Sequence, residues 1–147
     1  MKSIQSTSIA CKIFIAVSSL MIIFYFSSCA SKMAFLDSTV VPGAGGTVKV
    51  KKDNNKNYDI KIELSNLAAP TKLQPSKTIY VVWMESVDNN TKNIGQINSS
   101  TSLLSNKRKA SFETVSSIKP TKIFITAEDE SGIQYPGTQI VLTTNDF

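Results

Sequence analysis

Histidine is absent from the 147 residues, which removes the commonest general base and the commonest metal ligand. Cysteine is scarce: only Cys11 and Cys29 occur, so no disulfide framework is available. No unbroken apolar run reaches the roughly 20 residues that a membrane-spanning helix needs. The longest largely apolar stretch is residues 13–26, which Ser18 and Ser19 interrupt and Lys12 bounds. No EF-hand pattern occurs, no glycine elbow frames a serine, and no Ser-x-x-Lys stands at the start of a helical pattern. These absences leave no cofactor or metal to expect, no catalytic residues to name, and a non-enzymatic chain as the expectation.

What is present begins at the N-terminus. Lys2 and Lys12 precede the apolar run, and Ser27, Ser28 and Cys29 follow it. This is the layout of a secretory signal, which starts as a short helix. Phe26-Ser27-Ser28-Cys29 resembles the lipobox of bacterial lipoproteins, with Phe26 where leucine is usual. The resemblance implies that residues 1–28 are a signal peptide, removed by signal peptidase II. Cys29 would then be residue one of the mature chain, carrying a diacylglyceryl thioether and an amide-linked fatty acid such as palmitate. Each buried methylene contributes about 0.8 kcal/mol, so two or three chains moor a protein almost permanently. Ala30, not aspartate, follows the cysteine. By the sorting rule of such lipoproteins this implies the outer membrane, facing the periplasm. An uncleaved signal anchor, or ordinary cleavage leaving a free thiol, is the alternative.

Without Lys2 and Lys12 the mature chain carries 14 basic against 11 acidic side chains, a balance of +3. That is far from the footprint of a nucleic-acid binder, so no nucleic-acid partner is expected. It is a modest attraction to an anionic leaflet. The mature length suffices for one domain with its own core.

Residues 29–46 are read as the lipidated cysteine and a flexible tether, because Pro42-Gly43-Ala44-Gly45-Gly46 ends them. As a coil, residues 30–46 would span about 20–25 Å. A short first strand over residues 35–41 is the competing reading. Residues 47–147 then alternate between strand-like runs and polar turns. Tyr58, Ile60, Ile62 and Leu64 alternate with Asp59, Lys61 and Glu63, a half-buried strand that pairs as a hairpin with residues 47–51. Residues 78–86, TIYVVWMES, are apolar on both faces and belong at the centre of a sheet. Residues 92–97 return from a turn at 87–91, with Gly95 marking a bulge. Further strands are expected over 110–115, 122–128 and 139–144, and a weak strand or loop over 101–108. Pro70 and Pro75 place a crossing loop over 67–77, and Tyr135-Pro136-Gly137-Thr138 reads as a type II turn. About seven strands and no helix after the signal predict an all-β fold, an antiparallel β-sandwich of immunoglobulin-like kind, with a small closed barrel as the alternative.

Two pieces of this pattern together resemble a known family. Tyr80-Val81-Val82-Trp83 is followed by Ile94-Gly95-Gln96-Ile97. Later come Ile125-Thr126-Ala127-Glu128, Gly132, Tyr135-Pro136-Gly137 and Ile140-Val141-Leu142. This order is similar to the extracytoplasmic C-terminal domain of anti-sigma-K factors and would cover roughly residues 48–144. The resemblance implies a sandwich-like fold on the envelope side of a membrane. It does not extend to sigma-factor binding, since those factors use a cytoplasmic domain and a spanning helix for which this chain has no counterpart.

Candidate contact residues are few. Trp83, Tyr80 and Tyr135 could stack on a sugar or a small ligand, although a tryptophan on a central strand is more often core. Lys107, Arg108 and Lys109 form a basic run that could touch a protein partner in the envelope or lipid headgroups. Glu128-Asp129-Glu130 reads as a solvated turn, not a calcium site. The functional expectation is an interaction or structural module of the envelope, held to the membrane by the lipid on Cys29. A periplasmic binder of a small ligand or glycan is the alternative.

Overall fold

The computed structural model describes residues 30–97 and 109–147. The signal, Cys29, Leu103-Leu104, Lys107 and Arg108 lie outside the described residues. Among the described residues, eight strands form two antiparallel sheets. They are β1 (Ala30–Ala34), β2 (Gly45–Lys52), β3 (Tyr58–Ser65), β4 (Ile79–Ser86), β5 (Thr91–Ile97), β6 (Lys109–Ser116), β7 (Pro120–Glu128) and β8 (Ile140–Thr143). The first sheet runs β1-β2-β3-β6 and the second β5-β4-β7-β8. Without β1 these are a three-stranded and a four-stranded sheet, with the chain passing between sheets at β3–β4, β5–β6 and β6–β7. That is the Greek-key crossing of an immunoglobulin-like sandwich. One isolated bridge, Phe35 to Thr144, ties the β1 side to the β8 side without forming a ladder.

Side-chain alternation positions the core. Val48, Val50, Ile60, Ile62 and Leu64 face inward from the first sheet, and Tyr80, Val82, Met84, Ile123, Ile125, Val141 and Leu142 meet them from the second. The outward positions of β2, β3 and β6 are mostly polar, and Lys61 pairs there with Glu113 at 2.8 Å. Hydrogen bonding and charge from Glu113 hold the Lys61 ammonium above its ordinary range.

The tether reading is corrected. Ala30 pairs with Lys51 and Ala34 with Thr47, so the ladder starts at the first residue described. Phe35, Val41 and Ala44 are buried in the main core, Val41 N–H donates to Ser38 Oγ, and Gly43 makes the turn at φ 82°. The sequence offers little warning of this. β1 is an edge strand whose only large apolar side chain is the half-buried Met33, opposite Val48. The structure therefore has one strand more than expected, at 30–34 and not at 35–41. Gly95 does sit at a bulge: its φ is 141°, the β4–β5 register shifts beside it, and a Cβ there would stand 2.7 Å from the Phe112 ring.

Candidate functional site

The second sheet is apolar on both faces, and its outer face needs a cover. Val81, Trp83 and Phe124 form a small cluster there, with Ile79 and Ile133 packed on it. Trp83 and Phe124 stack with ring centroids 6.2 Å apart, and Trp83 Nε1–H donates to Thr126 Oγ1 at 2.8 Å. The cover is the β7–β8 connection, residues 129–139, and Asn93 clamps it. The Asn93 side-chain amide donates to Ser131 O at 2.8 Å and Ile133 O at 3.1 Å, while its Oδ1 accepts from Gly95 N–H. The bulge at Gly95 thereby aims Asn93 at the loop.

Glu128 fixes the loop's other limb. It is buried at the end of β7, where its Oε1 accepts from Gly137 N–H at 2.7 Å. A Cβ on residue 137 would stand 2.6 Å from Glu128 Oε2, so glycine is needed for this approach. The φ of Gly137 is not in the left-handed range, so the expected type II turn is not made; the carboxylate bond replaces it. The Glu128-Asp129-Glu130 run divides its roles: Glu128 caps Gly137, Asp129 pairs with Lys77 at 2.7 Å, and Glu130 is exposed.

These limbs border an open groove of about 1030 Å³ at one end of the sandwich. Residues 39–42 form one wall. The crossing loop forms a second, shaped by the 3-10 turn Pro70–Lys72 and by Lys77 N–H donating to Pro70 O. Glu128 and residues 137–139 form the third. Lys72 stands at the rim, and the buried Gln139 Oε1 has no partner among the described residues. The groove walls present hydroxyls, an amide and lysines, but no nucleophile paired to a base. Sequence reasoning missed this groove. Its one signal was Glu128, a charge closing an otherwise apolar strand.

The expected contact residues are not brought together. Trp83 is 0% exposed and Tyr80 is 0% exposed, so neither is available for stacking. Tyr80 packs in the main core with its hydroxyl donating to Ala68 O at 3.0 Å, and burial pushes its pKa up to about 12. Both are corrected from ligand contacts to core, because the sheet is sandwiched on both faces. Tyr135 alone stays free, 82% exposed on the covering loop. Lys109 is exposed at the start of β6, paired with Ser65, at the end of the sandwich opposite Ala30.

Among the described residues no group of three or more acidic, cysteine or histidine side chains is gathered, and no helix is long and apolar enough to cross a membrane. No protein-family model, no curated protein and no solved structure matches the chain.

Proposed function

We propose that the chain is a lipid-anchored envelope protein, a non-enzymatic immunoglobulin-like module moored through Cys29 in the outer membrane and meeting a protein partner with the end far from the mooring. One observation carries the reading. Ala30, the residue after the cysteine of Phe26-Ser27-Ser28-Cys29, already pairs with Lys51 in the first sheet. Cleavage before Cys29 would leave all eight described strands intact, which supports reading that cysteine as the start of the mature chain. The resemblance to the extracytoplasmic domain of anti-sigma-K factors supports the same side of the membrane.

The far end holds the groove and the exposed Lys109. Membrane contact by Lys109 fits this reading poorly, because β6 starts a full strand length from Ala30, about 26 Å for eight residues. A role in partner contact fits it. Binding of a glycan through Trp83 and Tyr80 loses its support with their burial.

Inhibition of signal peptidase II tests the proposal. Cells should accumulate a precursor heavier by residues 1–28, and Cys29→Ser, which lacks the acceptor thiol, should keep residues 1–28 attached and take up no radiolabelled fatty acid. A protein whose mass ignores both treatments, or that incorporates no fatty acid as wild type, would overturn it.

A further inference from the structure

The β1 ladder opens with Ala30 opposite Lys51, and that rung marks one end of the sandwich. The register brings three turns to the same end. Lys52 faces Tyr58 across the β2–β3 turn, Glu85 faces Thr91 across the β4–β5 turn, and Tyr58 pairs with Ser116 where β6 gives way to β7. Ser86 pairs with Pro120, so the tips of the β4–β5 and β6–β7 turns stand side by side. Both tips carry a large apolar side chain in the open: Val87 is 69% exposed and Ile118 is 45% exposed. From Ala30 to Ser116 the first sheet is crossed in three strand spacings, about 14 Å.

We infer that this end docks on the bilayer surface, with Val87 and Ile118 entering the headgroup boundary beside the mooring at Cys29. The inference rests on the lipid reading of Cys29. No spacer separates that residue from the ladder: consecutive Cα atoms lie about 3.8 Å apart, so a lipid on Cys29 brings Ala30 to the headgroups. Two contacts some 14 Å apart, one covalent and one apolar, hold the sandwich upright. Its far groove then stands about 26 Å from the surface, one eight-residue strand away.

The charges at this end decide the kind of surface. Lys51, Lys52, Lys56 and Lys119 are exposed there, but Asp59, Asp88 and Asp146 stand among them. Asp53 spends its carboxylate closing the β2–β3 turn on Asn55 and Asn57. With charge nearly balanced, the contact draws on apolar insertion and on the high effective concentration that mooring supplies. It needs no anionic lipid and resists salt.

The test uses the lipidated protein in phosphatidylcholine vesicles. Val87→Cys, Ile118→Cys and Lys109→Cys are each labelled with an environment-sensitive fluorophore and quenched with iodide. Labels at 87 and 118 should blue-shift and lose quenching severalfold, at low and high salt alike. The label at 109, at the opposite end of the sandwich, should behave as it does on the unlipidated protein in solution. Equal quenching at all three positions would overturn the inference, as would protection that appears only with anionic lipid and vanishes in salt. Vesicle flotation reads the Cys29 premise separately. If the protein does not float, coupling the Cys29 thiol to a maleimide lipid restores the mooring, and the quenching comparison still decides the docking.

Discussion

The two sheets solve the same packing problem differently. The outer face of the first is wet: Lys49, Lys51, Asp59, Lys61, Glu63 and Glu113 project from it, and one side of each strand suffices to build the core. The outer face of the second is dry, because Val81, Trp83 and Phe124 lie under the 129–139 loop. The first sheet is therefore a scaffold whose surface tolerates change. The second is joined to its covering loop, and that loop forms part of the groove wall. Changes that loosen the cover should reach the groove, whereas changes on the wet face should reach nothing.

The largest expected effect is Trp83→Ala, which removes the stacked pair and the bond to Thr126. Denaturant titration should show a loss of about 3–5 kcal/mol. Gly137→Ala should follow at about 1–3 kcal/mol, since its Cβ displaces the Glu128 carboxylate; if the melting temperature is unchanged, the carboxylate does not hold this limb. Asn93→Ala should cost about 1–2 kcal/mol and shift Trp83 emission to the red as the cover loosens.

Tyr80→Phe should cost about 0.5–1.5 kcal/mol for the lost bond to Ala68 O. It also has a pH signature. The folded hydroxyl ionises near 12 against an ordinary 10.0, so its contribution is complete below pH 10 and is lost as pH rises toward 12. The stability difference between wild type and Tyr80→Phe should be flat below pH 10 and shrink across that window. The smallest effect is Lys61→Ala. It should leave the denaturation midpoint within error, because its partners Glu63 and Glu113 are themselves exposed. A clear loss there would show that the wet face is less passive than its exposure implies.

The same contrast explains what could be read from the residues alone. Period-two alternation in residues 58–64 and the unbroken apolar run in 79–84 announce a one-sided and a two-sided strand, and both form as expected. Gly95 announces its bulge because a glycine amid a β pattern has few other uses. β1 escaped because an edge strand paired on one side needs no apolar face, and because the glycines at 43–46 suggest slack where the chain instead turns back into the sheet. The groove escaped for a different reason. It is assembled from three connections distant in sequence, and no local pattern links Lys72, Glu128 and Gln139.

The proposed mooring immediately before β1 is tested most directly by the mass of the N-terminal peptide of the envelope-extracted protein. A peptide starting at Cys29 and carrying a diacylglyceryl group with an amide-linked acyl chain is the predicted result. A peptide retaining residues 1–28, or one starting elsewhere with an unmodified thiol at position 29, would contradict it.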